Sequence, residues 1–429
     1  MSARQVSEHE AAVVGRAREV LPAGGFGNVT FDVVVARGEG GHVWDESGNE
    51  YIDYLLGSGP MLVGHAHPAV TAAVMDQVAK GSTFFANNAQ GIALAEAIVD
   101  AVPCAEQVRF VSSGSEATFY AMRVARAYTG RDKVLKFEGG FHGMSDYALM
   151  SMAPATPSNF PQAVPDTAGI PAQVSDEMLI APFNDADTAT ALIREHKADL
   201  AAVITEPLQR MIPPKPGFLQ ALRDTATECG VPLVFDEVVT GFRFAYGGAQ
   251  EYYGVEPDLC ALGKVIGGGY PLAAIAGKRA FMDVLDAAKA KPGHAVKQIG
   301  TLSGNPVAAA AGLATLDVLR EPGAYERLFA TGRRLMEGLR AALEKHGIEA
   351  AVMGEPPMFD VVFKGGDISD YRGTIGADAA KLAKFNAELL ARGILKGDNK
   401  FYVSLAHTDE DVAKTLDAFD GALAAVAAG

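Results

Sequence analysis

The sequence predicts an α/β protein with a large domain on a mostly parallel sheet, helices on each side, and a smaller domain beside it. Three observations predict this. The middle of the chain alternates short apolar strands with helical segments. The strands are apolar throughout rather than at every second residue, as expected where both faces are covered. The residues with unusual chemistry fall just beyond the strands, where ligands bind in such sheets.

Taken in order, "GGHVWDESGNEYIDY" reads as a hairpin within a first segment that joins the small domain or lies across the large one. "QVRFVSS" is a strand, and "SEATFYAMRVARAYTG" is a helix beginning near Ser115 and closed by Gly130. The strands "KVLKFEGG", "LAAVITEP", "VPLVFDEV" and "LAAIAG" follow, with the helix "PGFLQALRDTATECG" among them. After about Pro322 long charged helices dominate, with a few strands in "GILKGDNKFYVSLAH" and an amphipathic helix at "DVAKTLDAFDGALAAVAAG". The expected organisation is 1–55 joining the small domain, 56–322 as the large domain and 323–429 as the remainder of the small α+β domain.

Composition narrows the function. With 429 residues, 49% hydrophobic and 21% charged, the chain is globular and long enough for two or three packed subdomains. A net charge of -15 argues against nucleic acid or an anionic membrane as partner. An anionic ligand must therefore be held by local devices such as helix N-termini and single arginines. The N-terminal segment lacks the apolar centre of a signal peptide, and no apolar run approaches the ~20 residues of a membrane span. Cys104, Cys229 and Cys260 are far apart and fit neither a disulfide framework nor a zinc pattern, so a cytoplasmic setting is expected.

The sharpest question is posed by Lys264, set between an apolar run and three glycines in "LGKVIGGGYP". A P-loop needs Ser or Thr after its lysine and an earlier glycine, and both are missing. No G-x-G-x-x-G opens a helix after the first strand either. "VSSGSEAT" can hold a phosphate through Ser113, Gly114 and Ser115 at a helix start, although Ser115 taken alone reads first as a helix cap. Asp236 ends an apolar strand, as a helix cap or the fixed partner of a buried cation. Phe141 and His142 sit between glycines in "EGGFHGMSD", suited to a flat ring or to ordinary packing. His65 and His67 in "GHAHP" lack the companions of a metal site and are read as structural; no metal is expected. Taken together, a phosphate cradle, an aromatic surface, an acid for a ring nitrogen and a lysine for an aldehyde describe a pyridoxal phosphate site. Lys264 would form the Schiff base and afterwards move protons.

These motifs resemble the class III, fold type I, pyridoxal phosphate aminotransferases, and within them most closely the glutamate-1-semialdehyde 2,1-aminomutases. The likeness runs from about Leu21 to the end and is densest in "GPMLVGHAHPAV", "FVSSGSEAT", "FDEVVTGFRFAYGGAQEYYGVEPDL", "LGKVIGGGYP" and "GTLSGNPVAAAAG". It implies a seven-stranded type of sheet and an obligate homodimer with shared sites. It also implies that Ser113, Gly114 and Ser115 hold the phosphate while Phe141 and Val238 face the two sides of the pyridine. Asp236 would bind the ring nitrogen, Glu206 would belong to the hydrogen-bonded surroundings, and Thr301 would reach the neighbouring subunit's phosphate. The mutase pattern is broken in four places. Thr30 stands where the mutase has a carboxylate-binding arginine, and Ser58 where it has tryptophan. The loop "EPLQRMIPPKPG" is shorter and brings in Arg210, and "LKGDNKFYVSLAH" lacks the mutase "PSxFEA" pattern. The expected activity is therefore transfer of an amino group from an amine or a β- or ω-amino acid to a keto acid or aldehyde by a ping-pong route. The alternative is the mutase isomerisation to 5-aminolevulinate, with racemase, decarboxylase and non-catalytic readings behind it.

Overall fold

The computed structural model describes residues 4–29 and 31–428. The chain divides into two compact units, one of residues up to Pro68 with Pro322–Gly366 and Gly376–Gly429, the other of Ala69–Glu321 with Asp367–Ile375. The nine residues from Asp367, expected within the C-terminal domain, thus belong to the larger unit.

In the larger unit β1 (Gln107–Val111), β2 (Lys133–Phe137), β3 (Met178–Ala181), β4 (Leu200–Thr205), β5 (Leu233–Glu237), β6 (Leu259–Leu262) and β7 (Ala273–Gly277) form one sheet in the order β1-β7-β6-β5-β4-β2-β3. The pairs from β6 through β3 are parallel, and β7 runs antiparallel to both β1 and β6. Every residue of β3 to β7 is buried, which is why these strands read as unbroken apolar runs. Helix α1 (Gly114–Thr129) lies across the sheet. Its Ala121, Val124 and Ala125, spaced at three and four residues, share a core with Val134, Ala202, Val234 and Ile275. The helix begins at Gly114 with Ser113 as its cap, one residue earlier than expected, because the Ser113 hydroxyl takes the Glu116 N–H at 3.2 Å.

The glycines after Lys264 have a packing reason. A Cβ at Gly268 (φ +56) would lie 2.5 Å from the Ala311 carbonyl oxygen, and one at Gly312 only 2.1 Å from that of Ile266. The alanine-rich helix Pro306–Leu319 therefore presses its backbone against the turn Lys264–Gly267, which only small residues permit.

Lys136, in the middle of β2, is fully buried and donates to the carbonyls of Ala148 at 2.8 Å and Met150 at 2.7 Å. Burial lowers its amine from 10.5 to about 7. Between those values the unfolded chain holds the extra proton, so this residue's contribution to stability rises from pH 7 to 10.5 and is flat below pH 7. Lys136→Met removes the titration. The stability of the native protein relative to this variant is expected to climb on the order of 2–4 kcal/mol across that window, as read by urea unfolding. A flat difference would contradict the buried-neutral amine.

The smaller unit draws on both ends of the chain. His42–Asp45 and Glu50–Asp53 form the expected hairpin, Val35–Glu39 pairs on one side, and Ile394–Leu395 adds parallel to Glu50–Asp53. Ala351–Glu355, Met358–Val362 and Phe401–Tyr402 make a second antiparallel sheet, with helices Ala324–Lys345, Ala379–Ala391 and Asp409–Ala427 in the same unit. His65 of "GHAHP" bonds the Asp53 carboxylate at 2.7 Å. Among the described residues no helix is long and apolar enough to cross a membrane.

Candidate active site

The sheet brings the sequence-predicted residues to one edge. Val111, at the carboxyl end of β1, leads to Ser113; Phe137 of β2 leads to Phe141 and His142; Thr205 of β4 leads to Glu206. Asp236 pairs in register with Ala261 and Thr205 with Phe235, so Glu206, Asp236 and Lys264 leave neighbouring parallel strands at the same end.

Alternation along β5 separates its two carboxylates. Asp236 is 6% exposed; its Oδ2 accepts from His142 Nδ1 at 2.8 Å and its Oδ1 from the Val238 N–H at 3.1 Å. Glu237 faces elsewhere and accepts from the Ala249 N–H at 2.6 Å and from Thr240 at 3.1 Å. Burial pushes Glu237 up to about 7, so it is a structural cap rather than a second fixed charge at the site.

The start of α1 provides an anion cradle. Ser113 and Glu116 form a capping box, with the Glu116 carboxylate taking the N–H groups of Ser112 and Ser113. Among the described residues no acceptor takes the N–H of Gly114 or Ser115, and the positive end of a 16-residue helix dipole lies there. A Cβ at Gly114 would meet Val238 Cγ1 at 2.7 Å, and one at Gly263 would meet it at 3.1 Å. Glycine at both positions lets the cradle and the lysine turn close around Val238. Ser115 is not a cap: its hydroxyl accepts from the Met144 N–H at 3.2 Å and so ties the cradle to the loop after His142.

That loop is held on all sides. Glu206 accepts from the Phe141 N–H at 2.8 Å, and Thr118 donates to the His142 carbonyl at 2.6 Å. Gln209 donates to the Glu138 carbonyl at 2.8 Å. Arg210, half-buried, has its guanidinium carbon 5.1 Å from the Phe141 ring centroid. His142 is 1% exposed, and its Nε2 has no hydrogen-bond partner; the buried Gln209 Oε1 is also unpaired. Lys264 is half-buried and holds φ +49, a left-handed conformation that costs a non-glycine residue roughly 1–3 kcal/mol. Backbone strain of this kind gathers at sites where a side chain must be held in one place.

Ser113, Gly114, Ser115, Phe141, His142, Glu206, Arg210, Asp236, Val238 and Lys264 therefore surround one edge of the larger unit. Thr301 is exposed on the segment before helix Pro306–Leu319. Ser58, with φ +67, belongs to the smaller unit, and Thr30 lies outside the described residues. Thr118, Gln209 and Glu138 were not expected. Thr118 and Glu138 sit inside motifs already singled out, and Gln209 adjoins Arg210, so proximity in sequence was the available signal. Among the described residues no group of three His, Cys, Asp or Glu side chains could hold a metal ion.

The fold, with its large mostly parallel sheet and flanking helices, is that of the fold type I pyridoxal phosphate transferases. Residues 25–423 match the family Aminotransferase class-III, and the chain belongs to that family. It is 43% identical over 392 residues to glutamate-1-semialdehyde 2,1-aminomutase of Desulforudis audaxviator strain MP104C, covering 90% of this chain and 89% of that one. An omega-transaminase from Sphaerobacter thermophilus superposes with a TM-score of 0.94 at 36% identity over 99% of each chain. A beta-phenylalanine aminotransferase from Variovorax paradoxus gives 0.86 at 30% identity over 96% and 93%. The protein is a pyridoxal phosphate-dependent aminotransferase.

Proposed function

We propose that the protein moves an amino group from an amine or a β- or ω-amino acid to a keto acid or aldehyde, in two half-reactions at the site around Lys264. The observation that carries this reading is Arg210 beside Phe141, a cation on the substrate loop of a chain that has Thr30 in place of the mutase arginine. The likeness to an omega-transaminase over nearly the whole length supports it.

Bound pyridoxal phosphate supplies an aldehyde that takes up amino groups and a ring that draws electrons from the reacting carbon. The Gly114 and Ser115 N–H groups would bind its phosphate, with the Ser113 and Ser115 hydroxyls alongside. Phe141 and Val238 would face the two sides of the ring. Asp236, fixed by His142 and by the Val238 N–H, would keep a proton at the ring nitrogen. Glu206 keeps Phe141 in place through its backbone. Lys264 would hold the cofactor through Nζ and, with its amine free, would take up and return the proton at the donor's reacting carbon.

The working form in this reading is a homodimer in which Thr301 reaches the partner's phosphate. Exposed apolar side chains support it, notably Met75, Phe84, Phe85 and Ile92, with Ile299 (63% exposed) and Leu302 (46%) flanking Thr301 itself. Three free cysteines support a cytoplasmic setting.

Single amines added without a carbonyl acceptor test the donor class through the visible band of the bound cofactor. Bleaching by a β-amino acid, an α-amino acid or an arylalkylamine identifies a transaminase and its donor. Response to glutamate 1-semialdehyde alone, with 5-aminolevulinate as product, gives the mutase instead. Arg210→Gln is expected to raise KM for carboxylate-bearing donors roughly 10- to 100-fold, the worth of a charged hydrogen bond, and to spare neutral amines. An equal effect on both would return Arg210 to the surface.

A further inference from the structure

We propose that Arg372, with Tyr371, is a positioning residue that latches the turn carrying Phe141 and His142; the proposal rests on the assignment of those two residues to the cofactor. Both belong to the nine-residue segment Asp367–Ile375, which lies in the larger unit although its sequence neighbours on either side lie in the smaller one. Glycines with left-handed φ, Gly366 at +88 and Gly376 at +82, stand at the two crossings.

The contacts are specific. Arg372 Nε and Nη2 donate to the two oxygens of Glu138 at 2.6 and 3.0 Å, a paired fork geometry. The Glu138 side chain is 4% exposed and that of Arg372 is 37% exposed, so loss of the arginine strands a buried carboxylate. Arg372 Nη2 also donates to the Ser158 carbonyl at 2.5 Å, and its guanidinium lies 4.2 Å from the Phe160 ring centroid. The Tyr371 hydroxyl donates to the Pro154 carbonyl at 3.0 Å. Gly139, at φ +86, leaves no room for a side chain, because a Cβ there would lie 2.5 Å from Tyr371 Cβ.

The latched residues lead directly into the cofactor loop. Glu138 is tied at its N–H to the Ala181 carbonyl at 2.9 Å and at its carbonyl to Gln209 at 2.8 Å. Gly140 closes the turn on the Phe137 carbonyl at 3.0 Å, and Phe141 follows. The 206–210 loop grips this turn from one element and the Tyr371–Arg372 strap from another. With only the first grip left, the ring of Phe141 and the His142–Asp236 pair lose their fixed register.

The test compares the native chain with Arg372→Ala, Arg372→Lys and the double variant Glu138→Gln/Arg372→Ala. Each is titrated with pyridoxal phosphate and followed by its visible band and by thermal unfolding. The double variant removes the stranded charge along with the latch. Expected is at least tenfold weaker cofactor binding and a shifted band in Arg372→Ala, with the double variant regaining thermal stability but not affinity. Arg372→Lys, which keeps the charge without the fork, falls between and decides the matter should the alanine variants fail to fold. Native affinity and band in the double variant, or in Arg372→Lys when it alone folds, would make the ion pair merely structural and overturn the proposal. A native chain that takes up no cofactor would overturn the site assignment, and the latch with it.

Discussion

Lys264→Ala is expected to lose turnover by roughly 10^4-fold or more while folding normally, because in the proposed function one side chain both attaches the cofactor and carries the proton. The turn it occupies is set by Gly263, by the packing of Gly268 and Gly312, and by the helix Pro306–Leu319 rather than by the amine itself. Relief of the φ +49 strain does not follow from alanine, which bears a Cβ as lysine does. Thermal unfolding close to native and retained binding of the cofactor without covalent attachment are therefore expected together. Turnover within tenfold of native would remove Lys264 from the chemistry.

Asp236→Asn is expected to lower kcat roughly 10^2- to 10^3-fold, the range for deleting one preorganised electrostatic contact in an active site. The substitution keeps the shape of the side chain and an acceptor for His142 but gives up the charge that, in the proposed function, would hold a proton at the ring nitrogen. The neighbour provides the control. Glu237→Gln alters the cap on the Ala249 N–H and hence stability, and leaves the chemical step intact, because Glu237 points away from the site. If the two substitutions depress kcat alike, alternation along β5 has been read wrongly.

The residues proposed to hold the cofactor could be singled out in the sequence because they lie in short, contiguous motifs at strand ends, and strand ends can be recognised from unbroken apolar runs. Asp236 and Lys264 were found in that way. The sheet was less complete in the sequence: Met178–Ala181 and Leu259–Leu262 are four residues each, too short to separate from the loops around them by periodicity. Ser113 rather than Ser115 caps the helix, since which of two serines does so depends on where the backbone turns. Within the triple glycine, Gly268 answers to the backbone of a helix that arrives more than thirty residues later.

Long-range pairings were invisible. Nothing near Glu138 in sequence announces Arg372, 234 residues away, and nothing in "SDYRGTI" marks it as part of the larger unit. Lys136 was hidden for a different reason. Within "KVLKF" it looks like an ordinary strand lysine, and only tertiary burial brings its amine down to about 7.

That fully buried lysine makes the decisive measurement a discriminating one. The holoenzyme is reduced with borohydride, digested, and mapped by mass spectrometry for the lysine that retains the phosphopyridoxyl group. The account expects the mass on the peptide containing Lys264 and none on Lys136. Label on Lys136 or any other lysine, or none at all in a protein that has bound pyridoxal phosphate, would contradict it.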